Sequence, residues 1–268
     1  MRRQVLIAAF IVALSFALLG HSARADTCSA VLTTEPRVGG WCFQSWVDFF
    51  WDAYDFDQGD WDDGFGFPNA CDLTRPLGRT FNAIYVLNYA DGPSGKSTSD
   101  FSGSILHWGG NYSMREIDEL DARCGDGSRR AFTQWGVLID NYTQLYLPFF
   151  YNENVVERAA TILHESRHAD WCGHNGNDGS NPCPARSDSC DESFDDGCGG
   201  FASPSGRGAT GFQALWLWWF TVDADGITGT SARKAFARDE ANRIFNTMFD
   251  VDPCLNITSS GAVIDTCP

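Results

Sequence analysis

Beyond residue 25 the chain holds no apolar run long enough to cross a bilayer, no C-x-x-C pair, no internal repeat and few positive charges. Each shortage narrows the reading. The longest apolar-biased stretch surrounds "WLWWF" at Trp216 to Phe220. At about 11 residues against the roughly 20 of a membrane span, it reads as a buried helix, and no stable membrane insertion is expected. Nineteen lysines and arginines face 35 acids, a formal charge of −16. That balance argues against nucleic acid as a partner, because binding it requires cations that replace phosphate counterions. Without C-x-x-C spacing, a four-thiolate zinc site at Cys172, Cys183, Cys190 and Cys198 has no signature. Histidine is scarce as well, with five in 268 residues, yet His164, His168 and His174 fall in one stretch, "HESRHADWCGH".

Residues 1–25 combine Arg2 and Arg3, an apolar run from Val5 to Leu19, and "ARA" ending at Ala25, the layout of a secretory signal peptide cleaved before Asp26. Removing its three arginines takes the formal charge from −16 to −19. All ten cysteines follow it. An even count in that context reads as up to five disulfides in an oxidising, extracytoplasmic compartment, periplasmic or extracellular. Residues 26–268 are expected to form one domain, with an N-terminal lobe over about 26–170 and a cysteine-rich C-terminal lobe over about 171–268.

Along the chain, "WCFQSWVDFFWDAYDF" reads as a short helix running into the acidic loop "DQGDWDDGFGFP". Neither that loop nor "VDADGITGTSA" fits the EF-hand pattern of alternating acids, a sixth glycine and a twelfth glutamate. "TFNAIYVLNY", "FSGSILHW" and "GVLIDNYTQLYL" are predicted strands by their β-branched and aromatic content, with a helix over "MREIDELDARC". Residues 172–208 read as irregular loop held by disulfides, and helices follow in "GFQALWLWWF" and "SARKAFARDEANRIFNTMFD". Strands first and helices later imply an α+β fold.

Asn154 with Glu157 three residues on forms a helix-start signal, and Val155, Val156, Ala159, Ile162 and Leu163 supply an apolar face. The helix therefore carries the histidines. Positions four apart share a face, so His164 and His168 can offer their imidazoles to one cation while Glu165 reaches a water beside it. Neutral nitrogen donors suit zinc, and a carboxylate suits removal of a proton from water.

This H-E-x-x-H helix resembles the zincin metallopeptidases, and the likeness is confined to "HESRHADWCGH". It implies a small twisted sheet packed on the active-site helix, a disulfide-rich, mainly helical C-terminal lobe, Zn2+ on His164, His168 and His174, and Glu165 as general base. His174 stands at the third-ligand distance of the metzincins, but Trp171 occupies the position of their turn glycine, with Gly173 offered instead. Met248, the one methionine after the motif, falls in a predicted helix and so gives no sign of their methionine turn. The competing third ligand is a downstream carboxylate, Asp188, Asp191, Glu192 or Glu240. The expected function is a secreted zinc-dependent hydrolase cleaving peptide bonds in a peptide or protein substrate. The alternatives are a non-catalytic binding or structural protein with a structural or relic zinc site, and a carbohydrate-active protein displaying a flat row of tryptophans. His107 reads as an ordinary histidine rather than a substrate-polarising one.

Overall fold

The computed structural model describes residues 31–62, 65–67, 69–92, 103–124, 129–136, 139–172, 174, 208–249 and 253–267. The predicted signal peptide and most of the irregular loop predicted over residues 172–208 lie outside these. Among the described residues there are seven helices: α1 (Gln44–Ala53), α2 (Pro76–Tyr89), α3 (Ile105–Glu116), α4 (Leu147–Tyr151), α5 (Val155–Ala169), α6 (Ala209–Asp223) and α7 (Ser231–Thr247). Strands β1 (Glu119–Ala122), β2 (Ala131–Gly136) and β3 (Ile139–Leu145) form one sheet, and β4 (Leu255–Ile257) and β5 (Val263–Asp265) form a hairpin. The mixed α+β class is as expected, but the strands sit between helices in chain order rather than ahead of them.

Two predicted strands are helices. "TFNAIYVLNY" lies in α2, where Pro76 occupies the first turn and Leu77, Phe81, Ile84, Val86 and Leu87 are all buried. Proline at a helix start leaves its missing N–H without cost, and burial on every side overrides the β-branched content. "SILHW" opens α3, whose N-cap Ser104 accepts a hydrogen bond from the Leu106 N–H at 3.3 Å. Its Gly110 packs so closely on α2 that a Cβ there would meet the Asn88 side chain. The predicted helix "MREIDELDARC" is divided, its first three residues ending α3 and "ELDA" forming β1. The third predicted strand is correct, as β3.

The sheet has the order β1-β3-β2, with β1 parallel and β2 antiparallel to β3. Thr133, Thr143 and Leu120 stand in one row across it. Because side chains alternate between faces, this row shares one face, and Glu119 and Asp121, flanking Leu120, share the other. The Thr133 hydroxyl meets Glu165 of α5, so the first face is the one against that helix.

Helix α5 is the hub of the fold, packed by α2, α3, α6 and β2. Among its residues only Glu157 and His168 are not fully buried. One continuous core joins α1–α3, α5 and the C-terminal helices, with Phe81 in ring contact with Trp41, Trp46, Trp51 and Phe56. Trp216, Leu217 and Phe220 of α6 belong to that core. Among the tryptophans whose side chains are described, none is exposed.

Disulfides join Cys42 to Cys71 and Cys254 to Cys267, and Cys124 and Cys172 are disulfide-bonded as well. The bonding of Cys172 rules it out as a thiolate ligand. No described helix is long and apolar enough to cross a membrane.

Candidate metal centre

A helix buried on all sides must satisfy every polar side chain it carries. Most of α5 does so with its own neighbours. Its N-cap Asn154 accepts from the Val156 and Glu157 N–H groups at 2.9 and 3.2 Å. Arg158 donates to Glu35 and to the Glu153 carbonyl, the Ser166 hydroxyl returns to the Ile162 carbonyl, and Arg167 binds Asp170 at 2.6 Å while lying over the Phe212 ring.

His164 and His168 are turned to a different use. Their Nε2 atoms face each other at 3.1 Å, one helical turn apart. His174, past the helix end, closes the group with ring centroids 5.1 Å from His164 and 4.5 Å from His168. One ring nitrogen from each of the three falls within a common 4.8 Å. The His168 Nδ1 donates to the Cys172 carbonyl at 2.5 Å, a bond that leaves its Nε2 with a lone pair directed at the group. The His164 Nδ1 is buried without a partner among the described residues, beside Gln213 of α6. Burial first, then His168 and His174, holds the His164 imidazole well below its ordinary pKa, in the neutral form that binds metals. Three imidazoles converging on one point form a donor set suited to Zn2+, so the residues present fit the expected ion.

The chain reaches His174 through a tight reversal at the end of α5. The Cys172 N–H bonds the Arg167 carbonyl at 3.2 Å and the Trp171 N–H bonds the His168 carbonyl at 3.0 Å, the two bonds of a Schellman ending. Trp171 takes the left-handed position itself, at φ 62°. The turn is thus made at the residue that stands where metzincins carry their glycine, although a side chain stands there. Gly173, the expected substitute, lies outside the described residues.

Glu165, beside the first histidine, is 5% exposed, and its Oε2 accepts from the Thr133 hydroxyl on β2 at 2.7 Å. Thr133 also contacts the Thr143 hydroxyl at 2.8 Å. Burial pushes the Glu165 carboxyl up to about 7, against the opposing pull of the Thr133 hydroxyl and of nearby His174. Thr133 had no signal in the sequence beyond its place in a strand, because its role depends on β2 crossing α5.

The remaining candidates are elsewhere. His107, on α3, pairs with Asp91 at 3.5 Å. Glu240 is engaged by Arg243 through bonds of 2.8 and 2.6 Å. Asp188, Asp191 and Glu192 lie outside the described residues. Met248 caps the end of α7. In "VDADGITGTSA", the Asp225 Oδ1 takes the Ile227 and Thr228 N–H groups and the Thr228 hydroxyl in a local turn, which uses the oxygen a cation would need.

No protein-family model matches the chain, nor does any curated protein or any solved structure.

Proposed function

We propose that the chain is an extracytoplasmic zinc-dependent hydrolase acting on peptide bonds, with His164, His168 and His174 as metal ligands and Glu165 as general base. The observation that carries this reading is the convergence of three imidazoles next to a carboxylate that takes no part in their cluster and is held in place by Thr133. A purely structural metal site has no use for such a carboxylate.

The three imidazoles would hold the ion by their ring nitrogens, with the His168 ring oriented by the Cys172 carbonyl behind it. Bound zinc supplies Lewis acidity, which polarises a substrate carbonyl and brings the pKa of a water toward about 7. Glu165 accepts the proton of the attacking water and returns it to the departing amine. Thr133 keeps one carboxylate oxygen engaged, so the other is the one turned to the water. Strand β2 supports a peptide substrate, since it is one edge of the sheet among the described residues, and an extended peptide can add main-chain hydrogen bonds to such an edge.

The test compares the wild type with Glu165→Ala for zinc content and for hydrolysis of a mixed peptide library. Retained zinc with cleavage reduced by about two orders of magnitude or more supports the assignment. Equal cleavage by both proteins removes Glu165 from the mechanism, and zinc without cleavage in the wild type turns the reading to a binding or structural protein.

A further inference from the structure

On the face of the sheet away from α5, three carboxyl groups from two segments meet. Asp60 ends a 3-10 turn (Gln58–Asp60) capped by Asp57, whose Oδ1 accepts from the Gly59 N–H at 2.6 Å. The next residue, Trp61, anchors that turn to β1 by its indole N–H to the Leu120 carbonyl at 2.7 Å and by a parallel bridge to Ala122. Glu119 and Asp121 project from β1 on the face that Leu120 leaves. One oxygen from each of Asp60, Glu119 and Asp121 lies within 4.8 Å of the others.

Carboxylates accept hydrogen bonds and repel one another, so a cluster of them needs a cation. Arg123 supplies one, its Nη2 standing 3.4 Å from the Asp121 Oδ2 and 3.7 Å from the Asp60 Oδ1, with Nη1 on the Asp60 carbonyl. It does not reach the other Asp121 oxygen. Asp121 is 4% exposed, and its Oδ1 is buried with no hydrogen bond of ordinary geometry among the described residues, although the Gln144 side chain on β3 stands beside the carboxyl and Glu119 completes the group. Three carboxylates less one guanidinium leave two negative charges, the complement of a divalent ion.

We propose that Asp60, Glu119 and Asp121 form a calcium site, separate from the histidine centre and on the opposite face of the same sheet. The donors are all oxygen, which suits a hard cation and gives no purchase to the softer metals that prefer imidazole or thiolate. Calcium tolerates the irregular geometry of carboxylates drawn from a turn and a strand, with waters filling the partly exposed side, whereas magnesium demands a near-octahedral set. The bound ion would clamp the turn after α1 onto the outer strand of the sheet.

The experiment strips the full protein of metals, restores one equivalent of zinc, and follows its melting temperature during titration with calcium chloride. The wild type is expected to gain about 5 °C or more at saturation. Glu119→Gln and Asp121→Asn are expected to lose the calcium response and, in chelator, to melt above the wild type because the mutual repulsion is relieved. Asp60→Asn, which removes the ligand carried by the turn and is expected to lose the calcium response likewise, serves if Asp121→Asn fails to fold. No calcium response in the wild type, a response of equal size in the variants, or an equal response to magnesium overturns the proposal.

Discussion

Thr133 and Glu153 show how a single side chain is set by neighbours remote in sequence. Thr133 gives the Glu165 carboxylate a hydroxyl donor inside the core. Replacing it by valine keeps the shape and removes the donor, so Thr133→Val should lose about 1.5–3 kcal/mol at pH 8, read from urea unfolding. Zinc content should be unchanged, and kcat on a cleaved peptide should fall about tenfold or more with KM little altered, because the base is displaced and the substrate is not. Glu153 is 5% exposed, accepts from the Thr161 hydroxyl at 3.1 and 3.2 Å, and has Arg130 at 3.4 Å. Burial, with nearby Glu157 adding to it, pushes its carboxyl from 4.5 up to about 8. Its folded pKa exceeds its unfolded one, so the native state holds the extra proton between about pH 4.5 and 8, and Glu153 lowers stability as pH rises through that window. Glu153→Gln should flatten this part of the stability profile and unfold at higher urea than the wild type at pH 8.5, while matching it near pH 4. The residues of the candidate site were legible at this scale, since His164, Glu165, His168 and His174 stand together in sequence. Thr133 was not, because nothing local distinguishes a strand threonine that touches the proposed base from any other.

At the scale of elements, α5 was readable from both ends. Asn154 caps it as the sequence implied, although Glu157 turns to Arg130 at 2.9 Å instead of closing a reciprocal box. Its end depends on Trp171 in the left-handed region, a conformation that costs a residue with a Cβ about 1–2 kcal/mol. Trp171→Gly and Trp171→Val both delete the indole, and they differ chiefly in the backbone. The glycine variant should therefore be more stable than the valine variant by about 1–2 kcal/mol and should hold zinc more tightly, as measured by urea unfolding and competition with a chromogenic chelator. Helices α2 and α3 were misread as strands for a shared reason. Both are buried on several sides, so their apolar residues do not keep to one stripe, and a continuous apolar run has no period by which helix and strand can be told apart. The acidic trio escaped for a related reason: Asp60 sits in the segment "DQGDWDDGFGFP" and its companions lie on β1, so no contiguous pattern could contain it.

For the molecule as a whole, the histidine group ties the central helix to the chain beyond it, so metal binding and folding should be coupled. Removing zinc with a zinc-selective chelator should lower the melting temperature by about 5–10 °C, the effect of an ion present at roughly a hundredfold over its Kd. His174→Ala should melt lower from the outset and respond little to the chelator. Calcium, held by oxygens on the other face of the sheet, should remain bound through this treatment. The sequence by itself determined the local chemistry. The spacing of His164 and His168 on a capped helix fixes one shared face because the helical period is a property of the backbone. The cysteine count likewise implies disulfide bonding, and the acidic balance weighs against nucleic acid. Only the tertiary structure decided that this helix is the buried hub, that Trp171 makes the turn toward His174, that β2 delivers Thr133 to Glu165, and that β1 meets Asp60. Those outcomes rest on contacts between segments distant in the chain, which depend on how whole elements pack to bury their apolar surface, and no local pattern of residues encodes that packing.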